Sequence, residues 1–271
     1  MSNQSSLGSV ISRLVSDQSP AVMMEFSKVM KDLVDNRTWV QMPVVKDNGG
    51  TRFRIMNSRG KGYAAMYSDN NDKKAGGSII ITDIIKLIEP VFSEPSIGGI
   101  VIDPDTTALC LDKEFLLKCI LHGYLPEQDN GGAPNKNWGV GIPKYRQSDL
   151  MSEGELLNFA MHTVLDNESS LSAYQPISAC DHPQAIANLI FKEKTGKFVF
   201  VRVKGYCAEC SPELSAEEKR KLLDYSEIFN ATSYYATVGF RSATDMARFN
   251  ACLALRGDGF YAQYDGLESV R

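Results

Sequence analysis

Ala187-Asn-Leu-Ile-Phe-Lys-Glu-Lys-Thr-Gly-Lys-Phe-Val-Phe-Val-Arg-Val-Lys204 is the stretch on which the fold turns. Lys197 to Lys204 is dense in Val and Phe and is the strongest strand signal in the chain. A second extended segment over 186–192 precedes it, with Gly196 supplying the turn. A third lies upstream near 174–181. Further upstream, Ser152 and Glu155 form a capping box for a helix whose Leu157, Ala160, Met161 and Val164 share one face. Downstream, Ser215 and Glu218 repeat the capping box, with Leu222, Tyr225, Ser226 and Phe229 in helical register. Strand 233–240, helix 243–255 and strand 260–267 complete the expected order: helix, three strands, helix, strand, helix, strand.

From Ser152 to Leu267 this order and the Val-x-Val-Lys strand end resemble the core of the PD-(D/E)xK nuclease superfamily. The resemblance implies an acid on the second strand and a Glu-x-Lys on the third, the carboxylates holding a divalent metal that activates water. Here Asn188 stands in the place of the first acid and Arg202 in that of the Glu, while Lys204 remains. An amide and a guanidinium do not hold a divalent cation as two carboxylates do. The expectation is a nuclease-like α/β domain without metal-binding acids, with the cleft around Asn188, Arg202 and Lys204 or an open sheet edge as the binding surface. The enzyme alternative is a divergent nuclease in which Glu155, Asp166, Asp181 or Glu193 replaces a lost ligand.

In the first half, Ser19-Pro20 opens a helix with Val22, Phe26, Val29, Met30 and Leu33 at helical spacing. Strands follow at Trp39–Val45, Arg52–Met56 and Tyr63–Tyr67, Pro43 marking an edge or a bulge. The run Asp69 to Asp72 reads as a loop. Thr82 caps a helix that Pro90 stops, Ile100–Ile102 pairs with Ala108–Leu111 across Asp103-Pro104-Asp105, and Phe115–Leu121 is helical. Trp39-Val-Gln-Met-Pro43, the 52–67 hairpin, Thr82-Asp83-Ile84-Ile85 and Gly99-Ile-Val-Ile-Asp-Pro104 before Ala108-Leu-Cys-Leu111 resemble the N-terminal domain of the SseB (enhanced serine sensitivity) family over roughly residues 25–125. That resemblance implies a fold and no catalytic residues. The N-terminal helix with Val10, Ile11, Leu14 and Val15 is either a docking element or an intramolecular lid.

The expected organisation is therefore α+β in two domains: 1–125, a Gly/Pro-rich linker 126–147, and 148–271. With 43% hydrophobic and 23% charged residues, 271 residues can bury a real core, and no apolar run is long enough to span a bilayer. The N-terminus lacks a secretory signal, so a cytoplasmic location with reduced thiols is expected. Residues 151–271 carry 12 basic and 16 acidic side chains, against the basic excess of a nucleic-acid binder. Cys207-Ala-Glu-Cys210, with Cys180 and His182, is the zinc or thiol-redox alternative. No cofactor is expected. The function expected is non-enzymatic binding of protein or peptide partners, with the partner and oligomeric state unassigned.

Overall fold

The structure is a computed structural model that describes residues 6–47, 50–58, 60–68, 78–123, 149–170 and 174–271. The fold is α+β, and no described helix is long and apolar enough to cross a membrane. Two compact units make up the chain: Met1–Tyr124 with Ile228–Asn230, and Leu125–Glu227 with Ala231–Arg271. The expected linker 126–147 and the loop Asp69–Asp72 lie outside the described residues.

The first unit begins with α1 (Leu7–Ser16) and α2 (Pro20–Asp35), which pack on each other. Leu7, Val10, Ile11 and Leu14 of α1 are buried and Val15 is exposed, so the helix spends its apolar face within the chain. Strands β1 (Trp39–Asp47), β2 (Gly50–Phe53) and β5 (Ser78–Asp83) form one sheet in the order β2-β1-β5. Strands β3 (Ile55–Ser58), β4 (Lys61–Met66), β6 (Ile97–Ile102) and β7 (Leu109–Asp112) form a second in that order, with β4 and β6 parallel.

Four expectations for this unit are corrected. Pro43 lies in a central strand, not at an edge: its carbonyl accepts from Arg54 N, so its missing N–H falls just beyond the last β2 pair and costs no ladder bond. The single strand 52–56 is two strands in different sheets, broken at Arg54, whose N–H reaches Pro43 and whose carbonyl accepts from Ala65 N. Thr82 belongs to β5, and α3 (Ile85–Ser93) starts later, where Asp83 Oδ1 accepts from Ile85 N at 2.9 Å. Pro90 sits inside α3 because burial of Ile85, Leu87, Ile88, Val91 and Phe92 outweighs one lost helix bond. The last helix is a short α4 (Lys113–Leu117) that widens into a π-helical turn over Lys118–His122.

In the second unit α5 (Glu153–Ser170) precedes β8 (Tyr174–Ala179), β9 (Leu189–Glu193) and β10 (Phe198–Tyr206), an antiparallel meander. The β9–β10 turn uses Gly196 at φ +88°, as its position in the sequence suggests. Helix α6 (Ala216–Ile228) then crosses to β11 (Thr232–Ser242), which runs parallel to β10. The expected helix 243–255 is only α7 (Met246–Asn250): Asp245 caps it, Cys252 takes φ +52°, and buried Leu253 to Leu255 lie outside any helix, Leu255 bridging Leu150. The final strand is likewise two pieces, β12 (Phe260–Tyr264) and β13 (Glu268–Ser269), both antiparallel to β11. Sheet order is β12-β11-β10-β9-β8.

Alternation along β10 separates the two faces of this sheet. Val199, Val201 and Val203 join Leu157, Ala160, Met161 and Val164 of α5 in the core. The helix lies so close that a Cβ on Gly205 would stand 2.2 Å from the Leu156 carbonyl oxygen. Arg202 and Lys204 therefore project to the opposite face.

Candidate functional site

Three residues singled out in the sequence come together around the middle of β10. Asn188 and Arg202 are both buried, at 0% and 6% exposure. Asn188 lies where the chain enters β9, and its backbone N–H donates to the Val201 carbonyl. Its side-chain oxygen accepts from Val203 N at 2.9 Å and from Arg202 Nη1 at 3.1 Å, extending the ladder beyond the strand. Its Nδ2 donates to the carbonyls of Cys180 and His182, at 3.0 and 3.3 Å. One side-chain amide at the end of the 180–188 loop thus ties the start of that loop to β10.

Arg202 completes the closure. Nη1 also donates to the Ala185 carbonyl at 2.7 Å, and Nη2 to the Pro183 carbonyl at 2.5 Å and to Glu218 Oε1 at 2.9 Å. Its Nε is buried without a partner. Lys204 Nζ donates to Glu218 Oε2 and to the Glu213 carbonyl, each at 2.9 Å. Tyr235, opposite Arg202 on β11, donates its hydroxyl to the Pro212 carbonyl, and burial raises its pKa. The 180–188 and 207–215 loops are both tied to the sheet by these groups.

Glu218 is the residue that sequence reasoning missed. The sequence places it in a capping box, and the box is there: Ser215 N donates to Glu218 Oε2 at 2.9 Å, and Glu218 N to Ser215 Oγ at 3.2 Å. Its second role, holding Arg202 and Lys204, comes from tertiary packing. Burial acts to raise the carboxyl, but the Ser215 N–H, Lys204 and Arg202 outweigh it and hold the pKa at about 2. On the exposed side of this helix Glu217 pairs with Lys221 at 2.7 Å, while Glu218 turns inward.

The acids that would rebuild a metal site do not converge here. Glu155 is held by Arg256, Asp181 accepts from Asn158 at 3.4 Å, Glu193 accepts from Thr195, and Asp166 is exposed on α5. Among the described residues, no group of three His, Cys, Asp or Glu side chains is placed to hold a metal ion. This covers Cys180, His182, Cys207 and Cys210. Burial pushes the Cys180 thiol up and the Cys207 thiol to about 12, away from the thiolate that metal binding or redox exchange requires. His182 Nδ1 accepts from Gln184 N at 3.1 Å.

A different opening lies on the α5 face of the same unit. A groove of about 600 Å³ is walled by Phe159, Phe260, Met151 and the Arg256–Gly259 turn. Phe159 is half-exposed and meets Phe260 edge-on at 5.0 Å. The rim charges are internally paired: Arg256 Nε and Nη2 donate to Glu155 at 2.6 and 2.7 Å, and Arg248 donates to Asp258 at 2.9 Å. Arg256 first, then the Ser152 cap, bring the Glu155 carboxyl to about 2 against the opposing effect of burial. The groove borders β12, the edge strand, whose Tyr261, Ala262 and Gln263 are exposed.

A family model described as a domain of unknown function (DUF8840) matches residues 154–270, the span from α5 to β13. No curated protein and no solved structure matches the chain.

Proposed function

We propose that the chain is a non-enzymatic binding protein: an SseB-like first unit, and a PD-(D/E)xK-like second unit that takes an extended peptide segment of a protein partner. Against the nuclease alternative stands Arg202, whose guanidinium fills the place where the family resemblance calls for a metal-binding acid and is bonded to two loop carbonyls, Asn188 and Glu218. A fixed cation there repels a divalent one. Because these groups are bonded to loop carbonyls, to Glu218 and, for Asn188 and Arg202, to each other, the cleft around Asn188, Arg202 and Lys204 acts as an internal staple, and the binding surface lies elsewhere.

The observation that carries the peptide reading is the β12 edge, which pairs with no further strand among the described residues and lies beside the Phe159–Phe260 groove. An added strand gains main-chain hydrogen bonds at the edge and specificity from alternate side chains in the groove. The Ala243 N–H donates to the Gly259 carbonyl, so alternation places the Tyr261 and Gln263 backbone towards β11 and the Ala262 backbone outward.

Selection of peptides from a random display library on the full chain tests this reading. Enriched peptides should be extended and apolar, and Ala262→Pro should weaken them at least about tenfold. Peptide binding indifferent to Ala262→Pro contradicts it. So does Mn²⁺-dependent DNA cleavage by the pure chain that Lys204→Ala abolishes.

A further inference from the structure

We propose that β5 in the first unit is a self-association edge, on which a second copy of this chain adds its own β5 antiparallel about a two-fold axis at Ile81. The argument begins with the orientation of the backbone. In an antiparallel ladder the N–H and C=O of alternate residues point to opposite sides of the strand. The Gln41 carbonyl accepts from Tyr67 N and the Pro43 carbonyl from Arg54 N, both away from β5. Gln41 pairs with Ile81 and Pro43 with Ile79, so these are the pairs that exchange no bonds. Ile79, Ile81 and Asp83 consequently aim their backbone groups off the free side of the sheet. Among the described residues no strand pairs with that side.

The other edges differ in chemistry. Strands β2, β3 and β7 are four residues long, and β8 carries Pro176 with a register shift beside it. Short length, proline and bulges are the devices that discourage edge pairing. β12 is the edge assigned above to a peptide. β5, Ser-Ile-Ile-Ile-Thr-Asp, runs six residues with no proline, no bulge and no charge before Asp83. Asp83 itself turns its carboxylate back to the Ile85 N–H. On the sheet's outward face Ile81 is 61% exposed, and Trp39, one pair along on β1, is 70% exposed.

A second copy satisfies each of these features at once. A two-fold axis at Ile81 sets Ile81 against its twin, and Ile79 against the twin's Asp83. Every outward backbone group of one strand then meets a complementary group of the other. Residues on the same face stay on the same face, so Ile81 and Trp39 of both copies form one apolar surface. The strand's only carboxylates lie at opposite ends, so no like charges meet. Six strand residues a side fall short of the roughly 20–30 of a standard interface, so the association is reversible and in the micromolar range.

Sedimentation equilibrium of the full chain from about 1 to about 200 µM tests the proposal. A monomer–dimer equilibrium is expected. Ile81→Pro removes an amide that its own sheet does not use, and Ile81→Lys places two like charges face to face. Each should weaken dimerisation at least about 30-fold, while Met24→Lys, exposed on α2, leaves it unchanged. Circular dichroism and melting of each variant verify that it is folded, and Ile81→Lys decides the matter if Ile81→Pro does not fold. A chain that stays monomeric throughout overturns the proposal, as does a dimer that survives Ile81→Lys. A monomer whose β5 edge instead captures a foreign peptide overturns it too. These outcomes are independent of the β12 reading, which Ala262→Pro tests separately.

Discussion

Helices α5 and α6 open with the same device, Ser-x-x-Glu, yet the two glutamates do different work. Glu155 and Ser152 cap α5, and Glu155 then takes Arg256 on the surface, with side chains 37% and 49% exposed. Glu218 and Ser215 cap α6, but Glu218 takes an arginine whose side chain is only 7% exposed, together with Lys204. One local motif produces a surface clamp in the first case and an internal staple in the second. The difference lies in where the arginine comes from: Arg256 from an exposed turn, Arg202 from a strand buried under α6. Local sequence determines the cap, and the sheet determines what the cap holds.

Removing the two arginines should separate the cases most widely. Arg202→Met takes the donor from the buried Ala185 carbonyl and the half-buried Pro183 carbonyl, leaves Asn188 Oδ1 with Val203 N alone, and should cost about 3–5 kcal/mol in urea unfolding. Arg256→Met, which removes a solvent-exposed pair, should cost far less. Equal losses would dissolve the distinction. Next in size is Asn188→Ala, which strands the Val203 N–H and the Cys180 carbonyl, at about 2–3 kcal/mol.

Acid titration sharpens the comparison further. Both glutamates have pKa values near 2 in the fold, below the ordinary 4.5. A depressed carboxyl stabilises fully above its unfolded pKa and loses that contribution as pH falls, here from about 4.5 towards 2. Glu218→Gln and Glu155→Gln should each flatten part of this acid limb in thermal melts. The smallest effect is on salt dependence: about 0.5 M NaCl should erase most of the cost of Glu155→Gln and little of that of Glu218→Gln. A strong salt response at Glu218 would mean that its partners are solvated.

Much of the second unit was legible because its signals are local. Capping boxes, the Gly196 turn and the Val/Phe run of β10 each act through neighbours in sequence, and α5, β8 to β10, α6 and β11 lie where those signals place them. Sequence spacing also brought Asn188 and Arg202 together correctly, since a β9–β10 hairpin fixes their register. What the spacing did not reveal is that Asn188 is consumed by loop carbonyls and Arg202 by Glu218, a partner 16 residues away across a crossover. In the first unit, β5 was hidden because Ser78 to Ile85 is equally apolar as strand or helix, and only pairing with β1 decides it. The split at Arg54 was equally invisible, because the chain changes sheets there without a glycine or proline.

The central claim of the proposed reading is that the staple stands where a nuclease-like domain would hold its metal. Calorimetric titration of Mn²⁺ into the chelator-stripped full chain tests it most directly. The account predicts no saturable binding. Stoichiometric Mn²⁺ binding that Glu218→Gln or Asp181→Ala abolishes would contradict it.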